Sequence, residues 1–162
     1  MAIAVGDKVP DVEVKVLGED GMPVGISAAE ALGSGKVVLF AVPGAFTPGC
    51  SRAHLPGFVA GAEALAGKGV DKVACVGIND AWVMDAWAEA QGAKGKITML
   101  ADGNGAFTEA MGMAFDGSGF GLGTRSMRYA AVIEDGVITQ LDIEDSPASV
   151  AVSSCENMLA SL

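Results

Sequence analysis

Two short apolar runs, KVVLFAV at 36–42 and the VACVGI of DKVACVGI at 71–78, constrain this chain more than any other feature. Apolar runs of that length, without polar alternation, read as strands covered on both faces. Residues 43–70 leave room between them for the helical crossover that parallel neighbours require. The alternation continues downstream. Asn79 and Asp80 are placed to cap a helix over AWVMDAWAEAQG, KITMLAD reads as a third strand, and GAFTEAMG as a short helix. Upstream, DVEVKVLG (11–18) alternates Val12, Val14 and Val16 with charged residues, the period of a half-buried strand, and Ser27 to Glu30 form a capping box. RYAAVIEDGVITQLDI reads as a hairpin turning at Glu134-Asp135-Gly136, and Ser153 or Ser154 caps a terminal helix ending in NMLASL.

Right-handed crossovers place helices on both faces of the parallel part, to which the hairpin and the last helix are added. The expected fold is therefore α/β and thioredoxin-like, with a central mixed sheet, as one domain over residues 1–162. The chain is 51% hydrophobic and 19% charged, which suits a packed core and excludes a disordered tail or a coiled coil. No apolar run is long enough to span a bilayer, and MAIAVGDKVPDVEV lacks the basic and apolar regions of a secretory signal. Ten basic residues against twenty acidic ones, a net charge of −10, argue against nucleic acid and anionic membrane surfaces as partners. Three cysteines in a chain without a secretion signal point to a reducing compartment and to thiols that are either packed or reactive. The expected location is cytoplasmic, or organellar if a transit peptide has been removed.

One thiol stands apart. In VPGAFTPGC (42–50), Thr47 is placed to cap a helix with Pro48 at its first position, and that helix runs to about Gly67 with a bend near Pro56. Cys50 then lies in the first helical turn after a central strand, where unpaired N–H groups and the helix dipole favour thiolate over thiol. The flanking glycines let the backbone close around something small. Cys75 lies inside an apolar strand, where a packed thiol is expected, whereas Cys155 near the last helix is open to solvent access. His54, the only histidine, shares a helix face with Cys50. A Cys/His dyad for acyl transfer lacks an oriented third group here, so His54 reads as packing around the site. The cysteines and histidine lack the spacing of zinc ligands, and no metal or cofactor is expected.

PGAFTPGCSRAHLPGF resembles the active-site signature of the peroxiredoxins, Pro-x-x-x-Thr-x-x-Cys, on Pro43, Thr47 and Cys50. Ser51, His54 and LPGF are similar to the type II, peroxiredoxin-five subfamily, and INDAW, MLADGNGAFTEAMGM and GLGTRSMRYAAVIEDGVI extend the resemblance along the chain. The resemblance implies a thiol-dependent peroxidase that reduces hydrogen peroxide and organic hydroperoxides, acting in antioxidant defence as a homodimer. It implies Cys50 as the peroxidatic nucleophile, Thr47 as a hydrogen-bonding partner of sulfur and peroxide, Pro43 as a shield and Arg128 as the guanidinium beside the thiolate; of Arg125 and Arg128, Arg125 is taken as the surface cation. These residue types suit the chemistry. Nucleophilicity falls with basicity, so the remaining acceleration must come from placing the peroxide in line and stabilising the departing oxygen. A multi-donor arginine and a hydroxyl do both without a metal.

The sulfenic acid left on Cys50 must be resolved by a second thiol. Cys155, Cys75 and an external thiol are three open routes, and glutathione with glutaredoxin, or thioredoxin, is favoured. Two rivals remain. A protein thiol–disulfide oxidoreductase normally carries C-x-x-C at this helix start, where Thr47 stands instead. A peroxide-sensing signalling protein would oxidise Cys50 without turnover. An apolar rim including Phe46 and Phe120 is the expected dimer contact.

Overall fold

Strand β3 (Lys36–Ala41) runs through the middle of the molecule, and the parity of its side chains divides the core into two layers. The computed structural model describes residues 2–162. Val38 and Phe40, continued by Val42, point to one face; Val37, Leu39 and Ala41 point to the other. Such alternation is the pleat of a strand buried on both sides. On the first face lie α2 (Leu55–Gly67), α3 (Ala81–Ala90) and α5 (Cys155–Ser161), through Phe58, Trp87 and Met158. On the second lie α1 (Ala28–Ala31) and α4 (Ala106–Ala110), through Ala28 and Phe107. Each large side chain fully withdrawn from water contributes roughly 1.5–3 kcal/mol.

The sheet has seven strands. β3 pairs in parallel with β4 (Lys72–Gly77), and β4 with β5 (Thr98–Ala101). On the other side β3 pairs antiparallel with β8 (Tyr129–Glu134), which returns through Asp135-Gly136 into β9 (Val137–Ile143). Both turn residues have positive φ, 50° and 84°, as a two-residue Asp-Gly hairpin demands. The opposite edge is an antiparallel hairpin of β1 (Glu13–Leu17) and β2 (Pro23–Ser27), joined antiparallel to β5. The α/β, thioredoxin-like fold read from the sequence is therefore the observed one.

Three elements lie outside that reading. β2 begins at Pro23, which lacks a donor and is tolerated because the strand is at an edge. A small second sheet pairs β6 (Ala114–Asp116) with β7 (Thr124–Ser126). The helix after β3 contains a wide π-helical turn at Cys50–His54 rather than a bend alone: the Leu55 N–H reaches back five residues to the Cys50 carbonyl. Pro56, with no N–H, cannot close an ordinary helical bond at this point, and the register shifts ahead of it.

Cys155 is buried beneath α2, not accessible as the sequence suggests. α5 approaches α2 over Gly57 and Gly61, and a Cβ on Gly61 would collide with the Cys155 sulfur. Gly61→Ala should therefore lower stability in urea unfolding by roughly 1–3 kcal/mol, as overpacking does, although alanine favours a helix by about 1 kcal/mol. With Cys155→Ala in place the sulfur is gone, and the same substitution should be neutral or stabilising. An equal loss in both backgrounds would disprove this account of the packing.

Candidate active site

The chain leaves β3 through Val42, whose N–H donates to the Val76 carbonyl at 3.0 Å, and turns through buried Pro43 and Gly44. The turn is pinned from the next crossover, where Asn79 Oδ1 accepts the Ala45 N–H at 2.8 Å. Asp80 alone caps α3, through the Val83 N–H at 2.8 Å, so the two residues of this pair divide the tasks that the sequence reading gave jointly. Phe46 then takes a left-handed conformation, φ 63°, which costs a non-glycine residue energy and survives only where its surroundings enforce it.

Thr47 stands at the helix start, where its carbonyl accepts the Ser51 N–H at 2.9 Å. Its hydroxyl does not cap the helix; it donates back to the Gly44 carbonyl at 2.6 Å. With its proton so engaged, the Thr47 oxygen keeps lone pairs with which to accept. Cys50 is 0% exposed, in the same apolar layer as Phe40, Phe58 and Cys75. Beside it, the Ser51 hydroxyl accepts from the Trp87 indole at 3.0 Å.

The main polar partner of that sulfur comes from just ahead of the neighbouring antiparallel strand. Arg128, 2% exposed, immediately precedes β8, and its Nη2 donates to Cys50 Sγ at 3.2 Å. Nη1 lies 2.9 Å from His54 Nδ1, and Nε donates to the Pro147 carbonyl at 3.0 Å. His54 Nε2 lies 2.9 Å from the Ser153 carbonyl, so Nε2 carries the proton and Nδ1 accepts from the arginine. The ring packs, tilted, against the stacked pair Phe40 and Phe58, at centroid distances of 4.9 and 5.6 Å. His54 is thus a packed residue, as expected, and also a link in the polar network. No sequence motif announces that second role.

Arg125 is not merely a surface cation. Its Nη1 donates to the Pro43 carbonyl at 3.3 Å and its Nε to the Leu122 carbonyl at 3.0 Å, tying two loops together. The glycines of the turn serve these arginines. A Cβ on Gly44 would meet Arg125 Nη1 at 2.6 Å, and one on Gly49 would meet Arg128 Nη2 at 3.0 Å. The space attributed to a small ligand in the sequence is filled by guanidinium groups.

The structure brings Cys50, Thr47, Arg128 and His54 to one place, with Pro43 on the adjoining turn. Cys75 faces the same layer from β4 but is sealed inside it, and burial raises its thiol well above the ordinary range. Burial also raises Cys155. All three cysteines are free thiols. Among the described residues, no group of three or more His, Cys, Asp or Glu side chains is arranged to hold a metal ion, and no helix is long and apolar enough to cross a membrane.

This sheet and site define a class. The chain belongs to the Redoxin family, whose model matches residues 4–159. Within it the protein is a type II peroxiredoxin, a thiol-dependent peroxidase with antioxidant function that takes peroxide as substrate and a thiol as reductant. It is 44% identical to Peroxiredoxin-2E, chloroplastic, of Arabidopsis thaliana over 99% of this chain and 70% of that protein. It is 48% identical to Peroxiredoxin-2E-2, chloroplastic, of Oryza sativa subsp. japonica over 99% of this chain and 72% of that one. The crystal structure of reduced Prx3 in complex with hydrogen peroxide from Vibrio vulnificus superposes with a TM-score of 0.92, 50% identity and 98% coverage of both chains.

His54 makes part of this network sensitive to acid. Burial, reinforced by the Arg128 charge, lowers the ring from its ordinary 6.5 to about 3, and the Ser153 hydrogen bond opposes this only in part. Between those values the unfolded chain binds a proton that the folded one does not. Stability is therefore complete above pH 6.5 and falls as the pH drops through the window below it. Urea unfolding should show a slope approaching about 1.4 kcal/mol per pH unit. His54→Asn should flatten the curve between about pH 6.5 and 5, where carboxylates are still ionised in both states. A wild-type curve already flat there would contradict the assignment.

Proposed function

We propose that Cys50 is the peroxidatic cysteine and that an external thiol, rather than Cys75 or Cys155, completes each turnover. The observation that carries the reading is the 3.2 Å hydrogen bond from Arg128 Nη2 to Cys50 Sγ in a site closed to bulk water. A cationic donor beside the sulfur also faces the oxygens of a bound peroxide, and in a dry site such interactions are stronger than in water. The thiolate attacks the outer oxygen of the hydroperoxide along the O–O bond. That bond breaks, the transferred hydroxyl stays on sulfur as sulfenic acid, and the other oxygen leaves as an alkoxide or hydroxide that takes a proton.

Arg128 has five N–H donors, of which three are engaged within the protein. The remaining two stabilise the departing oxygen, the type of preorganised donor that contributes most to such steps. Thr47, whose own proton lies on Gly44, accepts the peroxide O–H and aligns it. Pro43 walls the turn and limits access of water to the sulfenic acid.

A disulfide requires Cα atoms within about 7 Å and a sulfur free to move. Cys75 sits in the middle of the β3–β4–β5 ladder, opposite Phe40 and Met99, and Cys155 is locked against Gly61. A small thiol such as glutathione, followed by glutaredoxin, or the thiol of thioredoxin, reaches Cys50 with less rearrangement. Reducing surroundings, in the cytoplasm or in an organelle, suit three free thiols.

Cys50→Ser should abolish peroxide consumption with excess dithiothreitol, whereas Cys75→Ser and Cys155→Ser should retain it. Intact mass after one equivalent of peroxide should show a gain of one oxygen, or of glutathione when that thiol is present. Full activity in Cys50→Ser would remove the assignment, and loss of two hydrogens without an adduct would remove the external thiol.

The active assembly is a homodimer built on the rim beside this turn. Phe46 and Phe120 are 56% and 88% exposed, and Arg125 ties their two loops together. Apolar side chains this exposed mark interaction sites when they lie on one rim. Phe120→Asp should shift sedimentation velocity from dimer to monomer; an unchanged dimer would place the contact elsewhere.

A further inference from the structure

Arg128 is gripped, on the side away from Cys50, by a segment with no regular secondary structure. Residues 145–153 follow β9 and lead to α5 without a strand or helix of their own. What orders them is one carboxylate. Glu144, 4% exposed, accepts three hydrogen bonds on Oε2: from the Ala151 N–H at 2.7 Å, the Ser153 N–H at 2.8 Å and the Ser153 hydroxyl at 2.6 Å. Its own N–H donates to the Arg128 carbonyl at 3.0 Å. Burial alone would raise this carboxyl, but the bonds from Ser153 and the neighbouring amides outweigh it and hold the group below its ordinary value.

The consequences run to the guanidinium along two paths. With its N–H and hydroxyl both committed to Glu144, Ser153 is held on its backbone and its side chain, and its carbonyl receives the His54 Nε2 proton. That leaves Nδ1 bare to accept from Arg128 Nη1. The Pro147 carbonyl, inside the loop that Glu144 closes, accepts from Arg128 Nε. The two acceptors that set the plane of the guanidinium therefore belong to this loop or are oriented by it. Ser154, by contrast, caps α5 and takes no part, although the sequence does not distinguish it from Ser153.

We infer that Glu144 is a positioning residue for peroxide reduction: its carboxylate clamps residues 144–153 so that Pro147 and, through His54, Ser153 hold the Arg128 guanidinium against the Cys50 sulfur. The inference rests on the roles given above to Cys50 and Arg128. A carboxylate suits the task because a single acceptor must satisfy three converging donors, and charge-assisted bonds are the strong ones.

The test is a double-mutant cycle on the rate of Cys50 oxidation by hydrogen peroxide. The reaction is followed by stopped-flow fluorescence, for which Trp87, bonded to Ser51, is a reporter beside the sulfur. Glu144→Ala should slow oxidation by about 10- to 100-fold, the usual cost of misplacing a catalytic group by an ångström. Added to Arg128→Ala it should cost no more than about two-fold further, because there is no guanidinium left to position. Glu144→Gln, whose amide oxygen can take the same donors, should recover most of the rate. Should the alanine variant fail to fold by circular dichroism, Glu144→Asp, with the carboxylate withdrawn by one methylene, replaces it in the cycle. Glu144→Ala (or Glu144→Asp in its place) at wild-type rate, or with a loss that adds fully to that of Arg128→Ala, would overturn the inference while leaving the Cys50 reading intact. Arg128→Ala at wild-type rate would instead overturn the role given to Arg128, and this inference with it.

Discussion

A buried guanidinium is the constraint from which the rest of this structure follows. A charge this far from water is expensive unless it is hydrogen-bonded, and Arg128 commits three of its five donors to a sulfur, a neutral imidazole and a backbone carbonyl. Two of the partners stand at the two ends of one π-helical turn and the third in a loop nearly a hundred residues further on. Satisfying the cation thus fixes both ends of that wide turn and the loop before the last helix relative to one another. His54 must be neutral to accept from an arginine, and its burial against the stacked Phe40 and Phe58 keeps it so.

The sheet supplies the geometry for this arrangement. Ala41 at the end of β3 lies opposite Tyr129 at the start of β8, so the turn carrying Cys50 and the residue before β8 leave the sheet side by side. The π-helical turn at Cys50–His54 begins at the proposed nucleophile, and widened turns of this kind are frequent at functional sites. Asn79 and Arg125 complete the frame by holding the intervening backbone at Ala45 and Pro43.

Much of the fold was legible because its signals are local. The apolar runs at 36–42 and 71–78, the Asp-Gly hairpin and the helix start at Thr47-Pro48 each depend on a few adjacent residues. β2 was not, because Pro23 and Gly25 weaken the strand pattern and its pairing is with an edge. In the site, Cys50, Thr47, Pro43 and Arg128 carry a motif that resemblance could pick out. Glu144 and Ser153 carry none: they act through bonds nine residues apart in an irregular loop, and through a histidine ninety-nine residues away from that serine. Cys155 looked accessible because a helix start is usually at the surface, and nothing in its neighbours announces the two glycines of α2 that let it sink.

The antiparallel pairing of β3 with β8 also sets a timetable. The sulfur and the guanidinium stand seventy-eight residues apart in sequence, and contacts of that separation form late, after the entropy of closing a long loop has been met. A chain still emerging during synthesis, with β3, α2 and β4 already available, carries Cys50 without its cation. At that stage the sulfur lacks both the donor and the closed apolar layer that surround it in the folded chain. The site is assembled only on completion of the fold.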